Sequence, residues 1–108
     1  HNDTWKAMKL WAVGDEFFVG TFRLMGAGGT VVEDPEEARR EVERLLEEGD
    51  VGVVLVSQTV ADSLGDAFSS YIERRDLPLV LAIPDGRTPA KGVEEVMRVL
   101  RASLGVTF

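Results

Sequence analysis

The run VGVVLV, from Val51 to Val56, is the most strand-like stretch of the chain. Its residues are β-branched or apolar with a single glycine among them, and the turn residues Gly49 and Asp50 come directly before it. A nearly continuous apolar strand is typical of a parallel sheet that helices cover on both faces. The run therefore predicts the central strand of an α/β sheet.

Short apolar runs alternate with amphipathic stretches on both sides of this strand, which is the pattern of a parallel sheet with crossover helices. The predicted strands are Lys9 to Gly14, Thr30 to Glu33, Val51 to Val56 and Leu77 to Ile83. The predicted helices are about Glu16 to Met25, Pro35 to about Glu48, Thr59 to about Arg75, and about Val93 to Ser103. Right-handed crossovers then predict a small open sheet of four parallel strands in the order 2-1-3-4, with helices on both faces, similar to Rossmann and flavodoxin-like folds.

The helix starts and the core faces can also be predicted. Asp15 and Asp34 are expected to cap helices, since an aspartate side chain accepts a backbone N–H bond at a helix start. Apolar residues at helical spacing mark the buried side of each helix. The residues expected in the core are Phe18, Phe22 and Met25 in the first helix, Ala38, Val42, Leu45 and Leu46 in the second, Ala61, Leu64, Phe68 and Ile72 in the third, and Val93, Met97, Leu100 and Leu104 in the last.

Length and charge limit the possible functions. The 108 residues suit one domain, which we place at residues 8–108 with a C-terminal helical segment from about residue 91, and we interpret residues 1–7 as a leader or tag remnant. The 12 Lys and Arg against 19 Asp and Glu leave a net charge of −7, which argues against nucleic-acid binding. Cysteine is absent, which excludes thiolate chemistry. No apolar run approaches the roughly 20 residues of a membrane helix.

A ligand of such a sheet would lie beyond the carboxyl ends of the strands. The polar and turn residues predicted there are Gly14, Asp15, Ser57, Gln58, Thr59, Pro84 and Asp85. A phosphate-accepting receiver domain would need an aspartate closing the third strand and a lysine after a fifth strand, whereas this chain has only the acidic pair Asp15 and Glu16. The glycine-rich segment from Gly26 to Gly29 follows a helix, which is the wrong place for a dinucleotide motif.

No enzyme site emerges from this set. Ser57 lacks the histidine base that serine catalysis usually requires, so it is interpreted as a strand-end hydrogen-bonding residue. We therefore predict no catalytic, cofactor-binding or metal-binding residue, no cofactor and no small-molecule substrate. The alternative is a receiver-like or nucleotide-sensing signalling domain that uses Asp15 and Ser57.

The first unit carries a family resemblance. Gly14-Asp15, followed after a spacer by Thr21-Phe22-Arg23-Leu24-Met25-Gly26, resembles the Gly-Asp … Gly-Phe-Arg-Leu-Ala-Gly segment of the F subunit of V/A-type rotary ATPases, with Thr21 and Met25 as departures. The segment Asp34 to Ala38, the third strand, the run PLVLAIP from Pro78 to Pro84, and Leu104-Gly105-Val106 follow in the family's order. The similarity covers Met8 to Phe108.

The resemblance implies a non-catalytic central-stalk component, cytoplasmic and peripheral to the membrane. Such a protein binds the D subunit of the central stalk and other subunits of the complex, couples rotation to ATP synthesis or hydrolysis, and modulates the ATPase. The residues expected to contact a partner are Asp15, Phe22, Arg23, Leu24, Val99, Leu104, Val106 and Phe108. For Arg23, both a solvated charge and a bidentate contact to a partner or to a neighbouring carboxylate stay open.

Overall fold

The computed structural model describes residues 8–85 and Arg98. Four parallel strands form one sheet in the order β2-β1-β3-β4, which confirms the predicted topology. The elements in chain order are β1 (Lys9–Gly14), α1 (Glu16–Leu24), β2 (Gly28–Val31), α2 (Pro35–Leu46), β3 (Val51–Ser57), α3 (Gln58–Leu64), α4 (Asp66–Ile72) and β4 (Leu79–Ile83). Within these described residues, no helix combines the length and apolar character that crossing a membrane requires. Residues 1–7 lie outside the described residues, and so does the predicted last helix apart from Arg98.

Helices pack on both faces of the sheet because successive strand residues point to opposite sides. On one face, Phe18, Val19 and Phe22 of α1 are buried with alternate residues of the strands, such as Leu10 and Leu55. The opposite face is covered by α2, α3 and α4; its buried residues include Ala38, Val42, Leu45, Val54, Val56, Ala61, Phe68, Tyr71 and Val80. Every residue of β3 is buried, as its central position in the sheet requires.

Several predicted boundaries are wrong. The second strand is Gly28–Val31 rather than Thr30 to Glu33, because Gly28 and Gly29 pair in register with Trp11 and Ala12 of β1. The fourth strand begins at Leu79, not at Leu77. Smaller differences are that the first helix ends at Leu24 and the second at Leu46.

The predicted third helix is two helices, α3 and α4. Gly65 separates them with a φ of 59° and a ψ of −129°, a conformation that no helix contains and that glycine adopts without steric penalty. The break changes the helical phase that follows it. Tyr71 is consequently buried, whereas Ile72, which the unbroken spacing places in the core, is 49% exposed.

Tyr71 joins α4 to α2 through a hydrogen bond. Its hydroxyl donates to Glu43 Oε2 at 2.6 Å. Burial, and then the carboxylate of Glu43, raise the pKa of Tyr71 to about 12, because both disfavour the phenolate. The neutral hydroxyl therefore stabilises the fold fully below the unfolded pKa of about 10, and this contribution is lost as the pH rises from there through the folded value.

This shift can be measured directly, since the chain contains a single tyrosine. We expect the near-ultraviolet tyrosinate absorbance of the folded chain to titrate with a midpoint of about 12. In urea the same absorbance should titrate near 10. Circular dichroism recorded in parallel identifies the pH range in which the chain is folded, and Glu43→Gln should lower the folded midpoint. A folded midpoint near the urea value would contradict the burial of Tyr71 and its hydrogen bond to Glu43.

Candidate functional site

The carboxyl ends of the strands surround a cleft of about 260 Å³. Asp15 follows β1, Glu33 and Asp34 follow β2, and Asp85 follows β4, so the parallel strands bring together side chains that are far apart in the sequence. The other residues that line the cleft are Val32, Pro35, Ser57, Thr59, Val60 and Ser63. Asp15, Ser57, Thr59 and Asp85 therefore lie where the sequence places them, whereas Gly14, Gln58 and Pro84 do not line the cleft.

Three of these side chains cap helices. Asp15 Oδ1 accepts a hydrogen bond from the Phe18 N–H at 2.8 Å and begins α1. Asp34 Oδ1 accepts one from the Glu37 N–H at 2.8 Å and begins α2. These two bonds confirm the predicted caps, each of which stabilises its helix by about 1 kcal/mol.

Ser57 begins α3 in the same way, in place of the predicted start at Thr59. Its Oγ accepts a hydrogen bond from the Val60 N–H at 3.2 Å, and the side chain is buried. The prediction that Ser57 is a hydrogen-bonding residue at the strand end is confirmed. Asp85 Oδ1 accepts a further bond from the Thr59 N–H at 3.3 Å, and thereby ties the end of β4 to the start of α3.

The cleft is acidic. Asp15, Glu33, Asp34 and Asp85 line it, and within the described part of the chain no Lys or Arg side chain does so. A phosphate group would meet carboxylates rather than the cations that usually neutralise it. In residues 8–85, moreover, no three acidic or histidine side chains are placed to hold a metal ion. The polar groups of this cleft thus organise helix starts.

The predicted partner-binding residues of α1 differ in exposure. Asp15 is exposed, and Leu24 is 91% exposed. Phe22 is fully buried against Phe18, with ring centroids 5.0 Å apart, so it cannot contact a partner directly in this structure. Val99, Leu104, Val106 and Phe108 lie outside the described residues.

Arg23 makes a contact that the sequence does not predict. Its side chain is exposed, and Nη2 donates a hydrogen bond to the carbonyl oxygen of Gly29 at 2.8 Å. The guanidinium therefore links the end of α1 to β2 within the chain, rather than pairing with a neighbouring carboxylate. This bond leaves its other N–H groups able to donate elsewhere.

Phe17 is a surface residue that the core pattern of α1 does not indicate. It is 67% exposed and lies seven residues before Leu24, so both side chains project from the same outer side of α1. The available signal is a second apolar pair at helical spacing, beside the core stripe of Phe18 and Phe22. An exposed aromatic side chain on a helix with few charges is a candidate for contact with another protein.

Comparison with known protein families decides the membership of the chain. The model of the family described as ATP synthase (F/14-kDa) subunit matches residues 10–100. The chain belongs to this family. It is accordingly an F subunit of an A/V-type ATP synthase, an accessory component of that complex, and the resemblance found in the sequence is confirmed.

Individual relatives agree with this assignment. The chain is 31% identical over 104 residues to the F subunit of the A-type ATP synthase of Pyrococcus abyssi, covering 92% of this chain and 96% of that one. It is 30% identical over 96 residues to the corresponding F subunit of Methanothermobacter thermautotrophicus, with coverages of 87% and 90%. The crystal structure of the V-type ATP synthase F subunit from Archaeoglobus fulgidus matches with a TM-score of 0.61 and 29% identity, over 71% of this chain and 98% of that chain.

Proposed function

We propose that this F subunit acts as a non-catalytic component of the central stalk that binds the D subunit and turns with it. In this role it couples rotation to ATP synthesis or hydrolysis and modulates the ATPase, from a cytoplasmic position peripheral to the membrane. The main support is the use of the strand-end polar groups: Asp15, Asp34 and Ser57 each cap a helix, and Asp85 holds the start of α3. These groups fix the fold and leave no reactive set in the described cleft.

The fold suits a mechanical role. A parallel sheet with helices on both faces buries its strands and behaves as a packed, poorly compressible unit. A protein that follows a rotating shaft has to transmit force without deforming, and it needs an adhesive surface rather than catalytic groups. Membership in the ATP synthase F-subunit family places the chain in a complex that requires such a component.

The competing function, a receiver-like or nucleotide-sensing domain, uses Asp15 and Ser57 as ligands. Both residues do lie at the same cleft. Their capping bonds, however, account for both residue types without a ligand. The acidic lining also opposes a triphosphate or an acetyl phosphate.

Binding measurements test the proposal. We expect the full chain to bind the purified cognate D subunit with a stoichiometry of one to one, as measured by calorimetry and by analytical ultracentrifugation. Titration of the chain with ATP or acetyl phosphate in the presence of magnesium should release no binding heat. A chain that stays monomeric beside the D subunit, or that binds ATP, would contradict the proposal.

A further inference from the structure

The outer side of α1 carries no charged side chain along its whole length. We call the residues Phe17, Gly20, Thr21 and Leu24 the α1 outer stripe. They lie three, four and seven positions apart, which places them on one side of the helix, and the stripe is about 10 Å long. Phe17 is 67% and Leu24 is 91% exposed, so its two large side chains project into solvent. Within residues 8–85, the one hydrogen bond of a stripe side chain is from the Thr21 hydroxyl to the Phe17 carbonyl oxygen of the same helix, at 2.8 Å.

The α2 helix provides the contrast within the same chain. Its exposed side carries ion pairs of Arg39 with Glu36 and Glu43, and of Arg44 with Glu41 and Glu48. That pattern is typical of a helix whose outer face meets water. The charged residues of α1, Glu16 and Arg23, lie together beside one edge of the stripe and not within it. The exposed side of α2 is therefore charged and suited to contact with water, whereas the outer side of α1 carries no charged side chain.

The shape of the stripe fits another helix. Gly20 forms a notch between the two large side chains, and a Cβ atom built on it would meet nothing within 4 Å. Side chains of a second helix can enter such a notch, because helices pack with the ridges of one in the grooves of the other. The distance between two packed helices depends on the side chains at the contact, so glycine permits a close approach.

The charge beside the stripe indicates which side chains the partner helix should have. An open groove lies at the Phe17 end of the stripe, and its lining includes the carboxylates of Asp15, Glu16 and Glu33. Within the described residues no Lys or Arg lines this groove. A partner with Lys or Arg at this end of its own apolar stripe would therefore find complementary charge.

We infer that the α1 outer stripe is the anchor by which this chain docks against an amphipathic helix of the D subunit, with basic residues of that helix in the acidic groove beside Phe17. This inference rests on the proposed function, since it takes the partner from there. Two large side chains do not make a whole interface, because stable protein interfaces bury about 1,200–2,000 Å². They are sufficient for its central anchor, since a few residues carry most of the binding energy in an interface.

The first test removes the apolar side chains. We expect the double variant Phe17→Ser/Leu24→Ser, in the full chain, to raise the Kd for the purified cognate D subunit at least about tenfold in calorimetry. Its Tm should stay close to that of the unchanged chain, since both side chains are exposed. The matched control is Ile72→Ser/Leu77→Ser, which removes two side chains that are each 49% exposed and lie away from α1; its Kd should not change.

The second test fills the notch. Gly20→Leu adds a side chain where the free chain has open space, and leucine favours a helix more than glycine does. We expect the Tm to rise or stay constant while the Kd for the D subunit rises at least about tenfold, because the added side chain keeps the partner helix away. A purely structural role of Gly20 would not lower affinity in a chain that is more stable.

The third test concerns charge. Glu16→Gln/Glu33→Gln should weaken binding at low ionic strength and make the affinity depend less steeply on salt, because charge attraction is screened by salt. Glu16 and Glu33 are exposed, so neither substitution should change the fold. If the affinity of this double variant depends on salt as steeply as that of the unchanged chain, basic residues of the partner helix do not lie in the acidic groove, and that part of the inference is overturned.

The outcomes separate the two proposals. If the unchanged chain does not bind the D subunit, the proposed function fails, and the stripe assignment fails with it. If the unchanged chain binds and Phe17→Ser/Leu24→Ser binds equally well, the stripe assignment alone is wrong. A free chain that forms a dimer, which the same double variant dissociates, would show that a second copy occupies the stripe and would also overturn the inference.

Discussion

Phe22→Ala is expected to lower the free energy of unfolding by about 3–5 kcal/mol, the range for truncating a fully buried phenylalanine. Phe22 has no exposed surface, and its ring lies 5.0 Å from that of Phe18, tilted by 58°. The substitution removes this ring contact and leaves a cavity between α1 and the sheet. Since small domains have about 5–15 kcal/mol of stability in total, the variant should lose a large part of its stability.

Urea denaturation followed by circular dichroism measures this loss, and Leu24→Ala provides the matched control. Leu24 lies two residues further along the same helix and is 91% exposed, so its substitution should change stability by no more than about 0.5 kcal/mol. Any loss of binding to the D subunit in Phe22→Ala should follow the unfolded fraction. A Phe22→Ala variant of unchanged stability that no longer bound this partner would show that Phe22 contacts it directly.

The sheet can be predicted because its signals are local and repeated. Periodicity and capping preferences of single elements are enough to predict three features of the fold. These are the buried strand β3, the helix starts after Asp15 and Asp34, and the alternation of strands with helices. The strand order then follows from the handedness rule for crossovers. These predictions need no knowledge of which residues meet in space.

The errors arise where a glycine has more than one possible role. In the sequence, Gly28 and Gly29 look like the end of a helix, but both are in β2, where Gly29 is buried. Gly65 falls inside a continuous helical pattern, but it ends α3 and shifts the phase of α4. Tertiary packing decides between such roles, and packing against another strand is not visible in a single sequence.

The candidate site is predictable in position but not in its roles. The strand-end residues Asp15, Ser57 and Asp85 meet as the topology requires. The bond from the Thr59 N–H to Asp85, in contrast, joins residues 26 positions apart, and no local pattern indicates it. The exposure of Phe17 could not be predicted for a related reason. Whether a side chain is exposed depends on the whole fold. The sequence shows that α1 has apolar residues outside its core stripe, but it does not show whether another element packs against them.

Gly28 of β2 is a position where an added side chain should destabilise the chain. It pairs in register with Trp11 of β1, and a Cβ atom on it would lie 2.5 Å from Trp11 Cε3 and 2.9 Å from Cη2. The Trp11 ring cannot move freely, because its Nε1 donates to Thr30 Oγ1 at 2.9 Å and the Thr30 hydroxyl donates to Glu41 Oε2 at 2.7 Å. A side chain at Gly28 must displace the ring and break this chain of hydrogen bonds.

The consequence for Gly28→Val is a loss of about 1–3 kcal/mol, the usual cost of overpacking, measured by urea denaturation. Gly20→Ala is the matched glycine control: it adds a methyl group in open space within a helix, so it should stabilise the chain by about 0.5–1 kcal/mol. A double-mutant cycle with Trp11→Leu isolates the cause, because a smaller, flexible side chain can yield to valine. The penalty of Gly28→Val should therefore shrink in the Trp11→Leu background; an equal penalty in both backgrounds would mean that the backbone of β2, and not the indole ring, excludes a side chain at this position.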